Sequence, residues 1–161
     1  MPTGPRLLVP NSCYHIMIRG NQKQKVFFDN RDHRKYLSLL RRYKIRFQYQ
    51  LYGYCLMPNH IHLIGEPHAN PDLARFMHDL NRAYTAYFNN RYGKVGHLWQ
   101  GRFKSKVVIK DQYLLDCIHY IEHNPVRAEM VRSAGDYTWI SHQERVLGRN
   151  IYNRLLDQVH L

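Results

Sequence analysis

Two histidines and two tyrosines are the residues of this chain whose types and spacing could do chemistry. His60-Ile61-His62 lies in the stretch YGYCLMPNHIHLIGE, Tyr52 to Glu66, which reads as an apolar strand, a Pro-Asn turn and a second apolar strand. Side chains alternate faces along a strand, so His60 and His62 point one way while Ile61 and Leu63 enter a core on the other. Two neutral imidazoles at that separation are half of a divalent-metal site. No thiolate or carboxylate is adjacent, so further ligands must come from elsewhere in the chain. With 11 histidines in 161 residues, a chance His-x-His pair is the competing reading of the spacing alone.

The tyrosines lie on a helix predicted over 112–124, capped by Asp111. At about 100° per residue, Leu114, Leu115, Ile118 and Ile121 gather on one side and Tyr113, Tyr120 and Asn124 on the other. An apolar helix with two tyrosines and an amide on its far face is not what packing alone selects. A tyrosine hydroxyl can act as a nucleophile, although its ordinary pKa of about 10 makes it a weak one at neutral pH.

A third group is cationic. Gly96 to Lys106 reads GHLWQGRFKSK. Two glycines bracket Trp99, which reads as exposed, and Arg102, Lys104 and Lys106 alternate. In a strand those cations would share one face, with Phe103 and Val107 on the other. Arg19 before a turn, Lys23 and Lys25 in a basic loop, and Arg127 just after Pro125 are further candidates for phosphate contact, as are Arg75, Arg82 and Arg91. The competing reading is that Trp99 plugs a core gap and the cations are solvated.

Composition favours a polyanionic partner. Lys plus Arg outnumber Asp plus Glu by 24 to 12, a net charge of +12, and 13 tyrosines and 2 tryptophans accompany the charge. Cations for phosphates and rings for bases suit a single-stranded nucleic-acid surface. Cys13, Cys55 and Cys117 are widely spaced among apolar residues, which suits reduced thiols in a cytoplasmic protein. No apolar run approaches a membrane span, and no signal-peptide core is visible.

The elements that must position these groups follow from capping and periodicity. A strand is expected at 12–18 after a loose lead-in at 1–10. A helix at about 31–45 is capped by Asp29 or Asn30, and its outer face carries Arg34, Lys35, Arg41, Arg42 and Lys44. Strands are expected at 48–57 and 60–66. A helix opens at Asn70-Pro71, carries an apolar stripe from Leu73 to Phe88 and closes at Gly93. A strand near 102–107 and the tyrosine helix follow. The order β-α-β-β-α-β-α predicts an α+β, ferredoxin-like sandwich: an antiparallel sheet with two helices on one face, plus a C-terminal tyrosine-bearing helix. The chain reads as a single domain, 1–161, with a core of about 12–130 and a C-terminal tail, 131–161, that either covers the domain or reaches the nucleic acid.

Four segments in order carry a resemblance: the opening strand with RGNQKQKVFF, then CLMPNHIHLI, GHLWQGRFKS and YLLDCIHYIEHNPVRA. Over residues 12–130 the chain resembles the single-tyrosine (Y1) HUH transposases of the IS200/IS605 kind, and within them the REP-associated tyrosine transposases. The resemblance implies that His60 and His62 hold one Mg²⁺ or Mn²⁺ and that Tyr120 is the nucleophile. It also implies that Asn124 completes the metal site. The implied activity is a metal-dependent transposase and endonuclease that cleaves and rejoins single-stranded DNA at hairpin sites through a 5′-phosphotyrosine intermediate. The implied partner is a single-stranded DNA hairpin, with no membrane and no nucleotide cofactor, bound by a monomer or homodimer. Two other readings stay open on the residues: a non-catalytic hairpin or single-stranded nucleic-acid-binding protein, and a metal-dependent nuclease that uses water. Tyr113 is the rival nucleophile.

Overall fold

The computed structural model describes residues 12–68, 73–152 and 154–160. The expected lead-in at 1–10 and the Asn70-Pro71 helix start lie outside these residues. The elements are β1 (Cys13–Arg19), α1 (Asn30–Arg46), β2 (Gln50–Leu56), β3 (His60–Glu66), α2 (Leu73–Tyr92), β4 (Lys104–Val108), α3 (Gln112–Glu122), α4 (Asn124–Arg127) and α5 (His142–Arg145). The strands form one antiparallel sheet in the order β2-β3-β1-β4, the ferredoxin-like sandwich that the element order predicts.

The sheet's two faces have different cores. Ile16, Ile18, Ile61, Leu63 and Tyr54 pack with the stripes of α1 and α2. Cys13, Ile64 and Val108 pack with Leu114, Ile118 and Ile121 of α3. The tyrosine helix therefore lies on the face opposite α1 and α2, so the cations of α1 lie away from the histidines, and Lys44 among them is paired with Asp157 of the tail at 2.6 Å. Asp29 caps α1 by accepting from the Asp32 N–H, and Asp111 caps α3 by accepting from the Tyr113 N–H. Gly93 follows α2 with φ +62°, the left-handed conformation that ends a helix without a side-chain clash. Arg91 is committed to Asp29 and Asp32, at 2.6 and 2.5 Å, so it belongs to the fold rather than to a phosphate site.

The tail covers the free edge of β2. Leu56 N–H donates to the Trp139 carbonyl at 2.9 Å, Ser141 N–H to the Tyr54 carbonyl at 3.0 Å, and Asp157 N–H to the Leu51 carbonyl at 2.8 Å. A free strand edge is a template for wrong pairing, and these bonds blunt it. The His33 ring is sandwiched between Phe27 and Trp139, with centroids 4.5 and 4.6 Å away, which ties the tail to α1.

That sandwich carries a pH prediction. Burial pushes the His33 pKa down from 6.5 to about 4, because a charged imidazole loses its water there. The unfolded chain therefore binds a proton that the folded chain refuses between those values. The stability is present above pH 6.5 and lost as pH falls towards 4, by about 3 kcal/mol for a shift of this size. Urea midpoints measured across this range should fall less steeply for His33→Phe, which keeps the stack and cannot titrate. An unchanged slope would show that His33 is protonated in the fold.

Candidate active site

Strand alternation brings the histidines together as expected. His60 and His62 share a face of β3 with ring centroids 5.1 Å apart, while Ile61 and Leu63 are buried on the other. Each imidazole has its Nδ1 engaged. His60 Nδ1 lies 2.7 Å from Asn59 Oδ1, an atom that can only accept, so Nδ1 carries the proton and Nε2 keeps its lone pair. His62 Nδ1 lies 2.9 Å from His15 Nε2, which leaves His62 Nε2 for any further partner.

Burial lowers the pKa of His60 to about 4, with the nearby Arg19 charge adding to the effect. Burial lowers His62 to about 3, reinforced by His15, His60, Arg127 and Arg19. Both rings are thus neutral at physiological pH, the state a metal ligand needs.

Helix α3 is seated over the sheet by Gly53. A Cβ there would lie 3.2 Å from Ile118 Cγ2, so the bare backbone sets how closely the helix approaches. Tyr113 and Tyr120 both face outward, each 58% exposed. The continuous helix expected over 112–124 is corrected here. Helix α3 ends at Glu122, His123 caps it, and Asn124 opens the separate α4 with Pro125 in its first turn. Proline lacks an N–H and disfavours helical backbone in the residue before it, so the chain bends at this point. Tyr120 and Asn124 therefore do not share one helix. The bend still carries Asn124 to the histidines: its Nδ2 lies 3.3 Å from His60 Nε2. Arg127, on α4, places its guanidinium carbon 3.7 Å from the centre of the Tyr120 ring, a cation–π contact between two exposed side chains. His119 and His123 stack on each other beside the tyrosine, with centroids 4.0 Å apart.

The other sequence candidates divide. Arg19 is the strand partner of His60, Lys104 of Met17 and Lys106 of His15, so all three lie on the histidine face. Lys23 and Lys25 are exposed in a loop beside Asn59, whose Nδ2 donates to the Lys23 carbonyl at 3.4 Å. Arg102 precedes β4 rather than alternating within it, because Gly101 with φ +65° turns the chain there. Trp99 is not exposed. It is 9% accessible and belongs to the core, because its backbone bridges Gly20 and draws the ring towards Tyr84. The sequence reading overlooked Glu122, which is fully buried and held by Ser141 and Arg145. An acidic residue beside the apolar positions of α3, with its basic partner 23 residues further on, is a weak signal for such a pair.

Among the described residues no group of three His, Cys, Asp or Glu side chains converges on a metal position. The Asn124 amide beside His60 offers a donor of another type. The Nε2 lone pair of His60, which faces the Asn124 amide nitrogen at 3.3 Å, the Nε2 of His62 and the oxygen of that carboxamide are a mixed N/O donor set of the kind that suits one divalent ion.

Fold and site together define an α+β sandwich with a histidine pair on the sheet face that carries the tyrosine-bearing helix, and an asparagine just beyond that helix that reaches the pair. The sequence profile of the family described as "Transposase IS200 like" matches residues 8–124. The chain belongs to that family, enzymes of DNA strand cleavage and transfer. A solved structure of a REP-associated tyrosine transposase bound to a REP hairpin aligns with a TM-score of 0.73 at 17% identity, over 98% of this chain and 92% of that one, and shows the same fold. A candidate transposase from Deinococcus radiodurans R1 aligns with a TM-score of 0.47 at 20% identity, over 76% of this chain and 97% of that one. Comparison with curated proteins finds no match.

Proposed function

We propose that this transposase cleaves and rejoins single-stranded DNA at a hairpin, with Tyr120 as nucleophile and His60, His62 and Asn124 as ligands of one Mg²⁺ or Mn²⁺. The observation that carries the reading is the 3.3 Å approach of Asn124 to His60, which joins the tyrosine-bearing segment to the histidine pair within one chain. The hairpin bound by the structural neighbour supports a DNA hairpin as partner, and the three free thiols support a cytoplasmic location.

The step balances without an external energy source. Tyr120 Oη forms a bond to the scissile phosphorus and gives up its proton. The P–O3′ bond breaks, and the departing oxygen takes up a proton as a 3′-hydroxyl. The DNA is left joined through its 5′-phosphate to Tyr120, and a 3′-hydroxyl from another strand reverses the attack. When bound, the metal would polarise a phosphate oxygen and help place the scissile group. Arg127, stacked on Tyr120, holds the ring's orientation and keeps positive charge beside the reacting phosphate. Arg19, Lys104 and Lys106 supply further charge on the same face.

The test is incubation with labelled single-stranded hairpin DNA and Mn²⁺, followed by a denaturing gel. A metal-dependent covalent adduct supports the reading, and cleavage without an adduct overturns it in favour of a nuclease that uses water. His15 gives a second prediction. Its bond to His62 Nδ1 fixes that ring for ligation, and loss of such a supporting partner costs roughly 10–100-fold in metal affinity. Calorimetric Mn²⁺ titration of His15→Ala should show this loss, with His15→Gln partly restored. Unchanged affinity in His15→Ala would remove His15 from the site.

A further inference from the structure

Gln22 and Lys23, in the basic loop after β1, are the only two neighbouring non-glycine residues with left-handed backbone among the described residues, at φ 54° and 59°. Side chains disfavour that conformation, so something must hold it. Packing does not, because none of Asn21, Gln22 and Lys23 is buried. Hydrogen bonds hold it instead. Asn21 N–H donates to the Leu98 carbonyl at 2.8 Å, and Lys23 N–H to the Gly20 carbonyl at 3.0 Å. The loop is also clamped on the 58–59 turn: Gly20 N–H donates to the Asn59 carbonyl and Val26 N–H to the Pro58 carbonyl, each at 2.8 Å. Gly20 has no room for a side chain, since a Cβ there would lie 2.3 Å from the Gln24 carbonyl oxygen. Loop and turn are therefore one hydrogen-bonded unit.

The Asn59 side chain carries that unit to the histidines. Its Nδ2 donates to the Lys23 carbonyl at 3.4 Å, and its Oδ1 accepts from His60 Nδ1 at 2.7 Å. A carbonyl oxygen only accepts, so the Lys23 carbonyl fixes which end of the Asn59 amide faces His60. The Asn124 amide, 3.3 Å from His60 Nε2, has both a donor and an acceptor end and can satisfy either tautomer by turning. The tautomer of His60 therefore rests on Asn59. A ring protonated at Nδ1 keeps the Nε2 lone pair for ligation, and which nitrogen ligates is set by the bond that the other one makes.

We propose that Asn59 is a positioning residue through which the backbone of the 20–25 loop sets the tautomer of His60. The inference rests on the functional reading above and adds to it a relay from the basic loop to a metal ligand. Asparagine suits the place because one side chain must both donate and accept. Aspartate would face the Lys23 carbonyl with an oxygen, and alanine would leave the ring free. The relay also gives the strain a role, since Lys23 with ordinary φ would aim its carbonyl elsewhere. Lys23 and Lys25 are exposed on the same loop, so a strand phosphate held there keeps in place the carbonyl that orients the amide.

The test has two readouts. Long-range proton–nitrogen NMR spectra of the histidine rings report the tautomer in the metal-free protein, with His60 assigned by its absence from His60→Gln. Calorimetric titration with Mn²⁺ reports affinity. The parent should carry the His60 proton on Nδ1. Asn59→Ala should move it to Nε2 and lower Mn²⁺ affinity by roughly 10–100-fold, the scale of a lost supporting partner. Asn59→Asp still accepts from Nδ1 and should restore the parent's tautomer. Lys23→Pro, confined to φ of about −65°, should reproduce the tautomer shift without touching the ring. Lys23→Gly takes up left-handed backbone freely, so it should lose the charge and keep the parent's tautomer and Mn²⁺ affinity. A parent-like tautomer in Asn59→Ala or in Lys23→Pro, or a shift in Lys23→Gly equal to that in Lys23→Pro, would overturn the relay while leaving the catalytic reading intact. A parent protein that bound no Mn²⁺ would overturn the metal site of the functional reading and this inference with it.

Discussion

Tyr120→Phe should abolish the covalent protein–DNA adduct while leaving hairpin binding close to that of the parent. The substitution removes one oxygen from a side chain that is 58% exposed, so the fold has little to lose. The proposed chemistry loses its attacking atom. Removing a nucleophile from a catalytic group that acts as a unit costs on the order of 10⁴–10⁶-fold in rate, and strand transfer should fall below detection. Tyr113→Phe is the matched control. Tyr113 is equally exposed but sits in the first turn of α3, far along the chain from Asn124. Its adduct yield should equal the parent's. An adduct that survived in Tyr120→Phe and vanished in Tyr113→Phe would keep the mechanism and move the nucleophile. Tight binding by the parent with neither adduct nor cleavage would favour a hairpin-binding protein without catalysis.

Glu122→Ala should cause the largest loss of stability of any single substitution near the site. The carboxylate has no exposed surface and is bonded to Arg145 and Ser141, and Ser141 Oγ also accepts from the Tyr54 N–H at 3.0 Å. One acidic side chain therefore joins α3, the tail and β2. Removing one partner of a fully buried ion pair costs about 3–5 kcal/mol; Arg145 keeps a third of its side chain in water, so a loss of about 2–3 kcal/mol is expected. For a domain of this size that corresponds to a fall in Tm of roughly 4–12 °C. Replacing both Glu122 and Arg145 by leucine removes both charges together, so the double variant should be more stable than Glu122→Ala. Thermal and urea unfolding followed by circular dichroism would measure both. A loss below about 1 kcal/mol for Glu122→Ala would mean that the pair is solvated and does not hold the tail. Because Glu122 lies two residues beyond Tyr120, a loosened tail should also lower adduct yield in Glu122→Ala, and the double variant should recover part of it.

What the sequence by itself determined is what short-range geometry dictates. Alternation along β3 put His60 and His62 on one face and Ile61 and Leu63 on the other, because the period of a strand is set by its backbone. Asp29, Asp111 and Gly93 marked helix ends because capping involves residues within a turn of each other. The order of elements sufficed for the sandwich, since few arrangements let two helices cover one face of such a sheet. Helical spacing paired Tyr120 with Asn124 and set Tyr113 two turns away, and the resemblance carried by four segments pointed to Tyr120 as well.

Only the tertiary structure decided which distant groups meet. His15 and His62 are 47 residues apart in the chain, and the β1–β3 register makes them neighbours. Glu122 finds Arg145 because the tail returns along β2. Trp99, flanked by glycines and cations, looks exposed in the sequence. It is buried because its backbone bridges Gly20, a contact that no local pattern encodes. The break at His123 was open to inference from Pro125, but where the bend would carry Asn124 was not. Local geometry follows from a few neighbouring dihedral angles, whereas these contacts depend on loop closure and register across the whole chain.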